Sequence, residues 1–238
     1  NIPIIMIVGN HDSYLRNDRT INSLTIFQDN KVQIIDEVCN IDNLYFVPYL
    51  MNEDDYTQFN SIPDGSTVFG HFDINEVVFK GCRLQKTDFA RFNKTFSGHY
   101  HKVRNFPEYN IHYIGNPFQM SFGEIDCKQK GFIVFDTETN EIERILLNSD
   151  AYPEYRVIKA DEISTINRNN LFLDIQYNQS DDIFLLKTEI DKYSDKVCEY
   201  QFTNTSQSIA DASQNNYDIQ YTSVKDLIVN YIQNELDL

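Results

Sequence analysis

Basic residues are scarce: 20 Lys and Arg stand against 36 Asp and Glu, a formal net charge of −16 over 238 residues. Affinity for nucleic acid comes mostly from Lys and Arg neutralising phosphates, so a basic groove over the whole surface is excluded. Any nucleic-acid contact must be local, or helped by metal ions or a partner. Cysteine is also rare, and Cys39, Cys82, Cys127 and Cys198 form no CxxC pair. That excludes a zinc knuckle and a dense disulfide framework, and reduced structural thiols in a cytoplasmic protein are expected. No apolar run approaches the roughly 20 residues that cross a bilayer, so the chain should be soluble. Residues 1–8 lack a basic n-region and a small-residue cleavage site; they read as a buried strand, not a signal peptide. A Walker-type phosphate loop and a GxSxG elbow are both missing, which argues against ATP hydrolysis and Ser-His-Asp chemistry by this chain.

The chain has enough apolar residues, 41%, to exclude a disordered polar polymer. Short runs rich in Ile, Val, Phe and Tyr recur at residues 4–8, 32–35, 44–47, 67–70, 95–97, 111–114, 131–135 and 142–147. Turn signals such as Asp42-Asn43, Pro63-Asp64-Gly65 and Glu138-Thr139-Asn140 separate them, so strands dominate as far as residue 150. Helices are expected at residues 53–62 behind an Asn52 cap and, as a single turn, at residues 87–92 capped by Thr87. An α/β domain built on mixed sheets is the reading for residues 1–155. The pattern then changes. Residues 171–177, 181–196 and 198–203 read as strand, helix and strand, a small β-α-β module spanning 156–206. Residues 207–217 are rich in Ser, Gln and Asn and read as a linker. Residues 223–236 place Val224, Leu227, Ile228, Tyr231, Ile232 and Leu236 at helical spacing, on a helix that either folds back or docks a partner.

Histidine carries the most information. Four of the five sit in short segments with glycine, after strands: Gly9-Asn10-His11-Asp12, Gly70-His71 and Gly98-His99-Tyr100-His101. Loops at the carboxyl ends of strands are where α/β proteins assemble sites, and glycine permits the tight turns that present a side chain. Imidazole nitrogen and amide oxygen suit borderline divalent ions such as Mn, Fe or Zn. Asn10, His71, His99 and His101 therefore read as a thiolate-free metal constellation. His112, within a strand, reads as structural. Asp12 either orients His11 or caps the turn that follows.

These segments resemble the calcineurin-like metallophosphoesterases, in which GNH with a following acid, a later GH and a final GHxH supply much of a two-metal centre. The segments at residues 44–49, 68–73, 96–101 and 113–117, through Lys130-Gly131-Phe132, are further similar to SbcD-type DNA-repair nuclease subunits, including the recombination-endonuclease subunits of T-even phages. The resemblance implies a sandwich of mixed sheets flanked by helices, plus a small α/β capping domain. It implies two divalent ions, Mn2+ first, with Mg2+, Fe2+ or Zn2+ as the others. Asn10, His71 and His99 would ligate one ion and His101 the other, while His11, with Asp12 beside it, would act on the phosphate. The implied activity is exonuclease or endonuclease cleavage of DNA in repair and recombination, in the cytoplasm of a bacterial or phage-infected cell. The implied partners are DNA, an SbcC-type ATPase reached by the end helix, and a second copy of the subunit.

The family also carries an Asp-x-His strand and a Gly-Asp segment before the first of these motifs, and only eight residues precede Gly9. The expectation is that this chain alone is nearly inactive and that a segment bearing those ligands restores Mn2+-dependent cleavage. Lys80, Arg83, Lys86, Arg91, Lys94, Lys102 and Arg104 form the one locally basic stretch, with Lys80, Arg83, Lys102 and Arg104 the candidates for phosphate-backbone contact. Phe106, Phe118 and Phe122 either pack the loops or stack on bases. The competing readings are a small-substrate phosphoesterase of the same superfamily and a catalytically inactive partner-binding module.

Overall fold

The computed structural model describes residues 2–15, 18–78, 80–147 and 150–205. The expected linker at 207–217 and helix at 223–236 lie outside them. In chain order the elements are β1 (Ile4–Ile7), β2 (Ser13–Leu15), β3 (Asp18–Asn22), β4 (Val32–Ile35), β5 (Cys39–Ile41) and β6 (Leu44–Val47), then helix α1 (Glu53–Ser61) and β7 (Thr67–Gly70). β8 (Lys94–Ser97), β9 (Arg104–Phe106), β10 (Ile111–Tyr113), β11 (Gly131–Phe135) and β12 (Ile142–Leu146) follow. β13 (Glu154–Lys159), β14 (Leu171–Tyr177), helix α2 (Ile183–Ile190) and β15 (Val197–Asn204) complete the set.

The architecture is mixed α/β. A six-stranded sheet runs β5-β6-β7-β8-β10-β9, parallel through its middle and antiparallel at both edges. The β5–β6 hairpin turns on Asp42 and Asn43, both at positive φ (52° and 65°), a geometry that short polar side chains tolerate and that matches strand twist. β1 pairs with β4 in a separate parallel two-stranded sheet. Its end is tied to the larger sheet because Tyr49 N donates to Val8 O at 2.9 Å. The carboxyl ends of β1, β7 and β8 thereby come together, the place where open α/β sheets gather ligands.

One face of the sheet is sealed by aromatic packing. Phe59 from α1 meets Phe72, Phe89 and Phe92 with ring centroids 5.4 to 5.7 Å apart, and all four rings are buried. Helix α1 starts as expected at Asn52, whose side chain accepts from Asp55 N in a capping box. The single turn expected from Thr87 is instead a 3-10 turn over Lys86–Phe89 with Gln85 at its cap, because the Asp88 carboxylate reaches back to Gln85 N. The β2–β3 hairpin and the short strands β5 and β9 were not foreseen; with three to five residues each they show no periodicity to detect. Neither was the six-residue β13, which adds a third parallel strand to the expected β-α-β module.

A second hydrophobic cluster lies under the parallel sheet β13-β14-β15. Alternation along β14 buries Leu171, Leu173 and Ile175 against Ile163, Ile166 and Ile190. The expected 181–196 helix is shorter: the Asp182 side chain caps Phe184 N and Leu185 N, so α2 begins at Ile183, and after Ile190 the chain tightens into a 3-10 turn. Among the described residues no helix is long and apolar enough to cross a membrane.

Candidate metal centre

The parallel register sets Gly70 at the end of β7 beside Ser97 at the end of β8, so His71 and His99 leave the sheet as neighbours. Asn10 arrives from the turn after β1. Three donor atoms converge: Asn10 Oδ1 to His71 Nε2 at 2.9 Å, His71 Nε2 to His99 Nδ1 at 3.0 Å, and His99 Nδ1 to Asn10 Oδ1 at 3.3 Å. With donors about 2.1 Å from an ion, neighbouring ligands stand roughly 3.0 Å apart in an octahedron and roughly 3.4 Å apart in a tetrahedron. The observed spacings lie within or close to that range, and the donor set is the nitrogen and oxygen type that a borderline dication takes. The residues present therefore fit a divalent ion. Among the described residues no group of three or more His, Cys, Asp or Glu side chains is arranged for one; the trio here is two histidines and an amide.

Glycine makes the approach possible. A Cβ at Gly9 would stand 2.8 Å from His71 Cε1, and one at Gly98 would stand 3.2 Å from His71 Nδ1. His99 itself takes a positive φ of 76°, which a bulky residue adopts only when its surroundings compel it. Those surroundings are Asp73, whose Oδ1 lies 2.6 Å from His99 Nε2, and the Tyr49 ring, stacked on His99 at 6.0 Å. Tyr49 OH in turn donates to Asp73 Oδ2 at 2.6 Å. A proton on Nε2, facing Asp73, would leave the His99 Nδ1 lone pair to the cluster; a carboxylate at the other ring nitrogen is the usual outer support of a metal ligand.

Burial, with the neighbouring His99 second, pushes the His71 pKa down to about 4, so the ring is neutral and its lone pair available at physiological pH. Burial alone would raise the Asp73 carboxyl, but the hydrogen bonds from His99 and Tyr49 outweigh it and hold the group below the ordinary range. Burial and the adjacent Asp73 push the Tyr49 hydroxyl well above its ordinary value, so it remains a donor.

The other candidates stand apart from this trio. His101 Nδ1 lies 3.1 Å from Glu124 Oε1, and the ring is half exposed. His11 is exposed at the tip of the turn. The Asp12 carboxylate accepts from Gly9 N at 2.7 Å, which closes the turn that carries Asn10 and His11. His112 is half-buried, stacked on Phe96 at 5.4 Å. In the basic stretch, Arg83 is paired bidentately with Glu53 at 2.5 and 2.9 Å, Arg91 with Asp64 at 3.3 Å and Lys102 with Asp126 at 2.7 Å. Lys80 and Arg104 are exposed, and the Arg104 guanidinium lies over Phe106 at 5.0 Å. Phe118 stacks on Tyr152 and Phe122 meets Tyr155 edge-on, so both rings pack against the start of the β13 segment.

Sequence reasoning missed Asp73, Tyr49, Glu124 and Lys130. Asp73 left a trace, since it lies two residues after His71 on an extended segment and so shares its side. Glu124 left none: it is one of 36 acidic residues until the fold buries it beside Lys130. No protein-family model matches the chain, and no curated protein matches it.

Proposed function

We propose that this chain is the nuclease subunit of an SbcCD-like repair and recombination complex, a metal-dependent phosphodiesterase that cuts DNA and works with an SbcC-type ATPase. The observation that carries the reading is the convergence of Asn10 Oδ1, His71 Nε2 and His99 Nδ1 at the carboxyl ends of β1, β7 and β8. In this reading the mixed sheets form the metallophosphoesterase sandwich, the β13–β15 module is its DNA-capping domain, and the protein works in the cytoplasm of a bacterial or phage-infected cell.

Asn10, His71 and His99 would hold one ion and His101 the other, with Mn2+ the favoured metal. When bound, such ions supply Lewis acidity at the phosphoryl oxygens and an activated water. The chain's own part is to keep His71 neutral by burial, to fix the His99 ring through Asp73 and Tyr49, and to hold Asn10 on a turn closed by Asp12. Exposed His11 is free to meet the scissile phosphate and protonate the leaving oxygen. Lys80 and Arg104 are the better placed of the phosphate-contact candidates, since Arg83 and Lys102 would first have to leave their carboxylates.

The test is to incubate the protein with linear duplex DNA and Mn2+, alone and together with a segment bearing the Asp-x-His and Gly-Asp ligands, with EDTA and His71→Ala as controls. Little cleavage by the chain alone is expected, and Mn2+-dependent cleavage that the added segment restores and both controls abolish. Absence of cleavage in the presence of that segment with Mn2+, Mg2+, Fe2+ and Zn2+ alike would overturn the reading, and hydrolysis of nucleotide esters without DNA cleavage would replace it with a small-substrate phosphoesterase.

A further inference from the structure

A buried ion pair stands behind His101. The Glu124 and Lys130 side chains are only 3% and 8% exposed, and Lys130 Nζ bonds Glu124 Oε2 directly. Burying two charges is expensive, and an apolar pair of similar size often serves packing as well or better, so stability alone is a weak reason for this arrangement. The geometry offers another. Glu124 Oε1 faces His101 Nδ1 at 3.1 Å, while Lys130 Nζ also donates to the backbone oxygen of His101 at 2.9 Å. The same pair thus grips His101 at both ring and backbone. Glu124 is itself pinned, because the Gln119 side chain donates to its carbonyl at 3.3 Å and accepts from Tyr155 N at 2.7 Å on β13.

We propose that Glu124 is a positioning residue for His101: it accepts from Nδ1–H, fixes that tautomer, and turns Nε2 outward as the lone-pair nitrogen of the half-exposed ring. Lys130 balances the carboxylate and holds it in place. The contrast with His99 is specific. There the carboxylate stands at the other nitrogen, Asp73 Oδ1 lying 2.6 Å from His99 Nε2, so two histidines two residues apart would be held in opposite tautomers by two different carboxylates. A ligand histidine is oriented in this way by a carboxylate on its other nitrogen. The inference rests on the metal reading for its purpose, but its primary test needs no metal.

The experiment uses the full chain with 15N-labelled histidine; five rings make the long-range proton–nitrogen spectrum assignable by single substitution. It is recorded at about pH 8.5, well above the ordinary imidazole pKa of about 6.5, so that the rings are neutral. His101 is expected as the Nδ1–H tautomer and His99 as the Nε2–H tautomer. In Glu124→Leu/Lys130→Met, which removes the acceptor without stranding a buried charge, His101 should become a mixture of tautomers while His112 is unchanged and reports the fold. The second double variant, Glu124→Gln/Lys130→Met, restores a side-chain acceptor and should restore the tautomer. Wild-type His101 found as Nε2–H, or an Nδ1–H tautomer that persists in the Leu/Met variant, would overturn the proposal. Added Zn2+, a diamagnetic divalent ion, separates the two readings. The ligating nitrogens of His71 and His99 should shift at the same concentration in both the wild type and the Leu/Met variant, but His101 Nε2 in the variant should need roughly 10- to 100-fold more ion. If Zn2+ shifts no histidine nitrogen, the metal reading fails while the tautomer result still decides the role of Glu124.

Discussion

Substituting Asp55 by Asn tests how the first half of the molecule is held together. Arg19 on β3 and Asp55 on α1 form a buried pair, with side chains 8% and 5% exposed, through two bonds of 2.6 and 2.7 Å. Asp55 Oδ2 also accepts from Met51 N at 2.7 Å and Asn52 N at 3.2 Å, so one carboxylate ties the hairpin to the start of the helix. Removing one partner of a buried pair typically costs about 3–5 kcal/mol, because the other charge is left uncompensated. Here Arg19 keeps bonds to Tyr49 O and Asp36 O, both at 2.8 Å, and Asn retains one acceptor oxygen, so the lower end, about 3 kcal/mol, is expected. At roughly 2–4 °C per kcal/mol for a chain of this size, the midpoint should fall by roughly 6–12 °C at pH 7, measured by circular dichroism. The pH dependence fixes the cause. Burial would raise the Asp55 carboxyl, but Arg19 and the backbone donors overcome this and hold it below its ordinary 3.8. A depressed folded value means that stability is present above the ordinary value and lost as pH falls through the folded one. The gap between wild type and Asp55→Asn should therefore be constant above about pH 5 and shrink below pH 4. A loss under about 1 kcal/mol, or a gap that does not close in acid, would refute the assignment.

Other perturbations address the site. Asp73→Asn removes the carboxylate from His99 Nε2 and Tyr49 OH and should weaken Mn2+ binding about 10- to 100-fold by titration calorimetry, with little change in thermal midpoint. Gly9→Ala sets a methyl 2.8 Å from His71 Cε1, so the ring must move; Mn2+ affinity should drop, whereas Gly65→Ala, with nothing within 4 Å, should leave it unchanged despite its strained φ. His11→Ala should abolish the DNA cleavage that the segment bearing the Asp-x-His and Gly-Asp ligands restores, and leave Mn2+ binding intact, since the exposed ring is not among the converging donors; retained cleavage would remove it from the chemistry. Phe59→Ala, at the centre of the aromatic cluster, should cost about 3–5 kcal/mol in chemical denaturation.

What the sequence made legible follows from the range of the signals. Apolar runs of four or more residues, such as residues 32–35, 44–47 and 67–70, stand where the strands do, because each pairs in parallel and is bounded by turn residues; 44–47 and 67–70 lie inside the six-stranded sheet. Three-residue strands carry too few positions for a pattern. The residues that converge, Asn10, His71 and His99, were readable as a group because a histidine or amide beside a glycine after a strand is a local signal. Their supports were not. Asp73 meets Tyr49 across 24 positions and Lys130 meets His101 across 29, and nothing local in either partner announces the other. The basic stretch shows the opposite error of a purely local reading: seven cations in 25 residues read as a positive surface, yet Arg83, Arg91 and Lys102 find acids from distant segments.

The parallel arrangement of β6, β7 and β8 explains why so few donor residues suffice to define this place. In parallel strands the chain always returns to start from the same edge, so every carboxyl end exits on one side, and three successive exits deliver Tyr49, His71 with Asp73, and His99 within a few ångströms. Each exit brings its own support: the tyrosine holds the aspartate, and the aspartate holds the histidine of the next strand. Orientation of His99 thus depends on register across three strands, not on its own loop. A slip of one residue in β7 would turn Asp73 to the opposite side and release both Tyr49 and His99. That dependence lets a histidine at a positive φ persist in a short loop, because the cost of its backbone is offset by contacts that only the correctly paired sheet can supply.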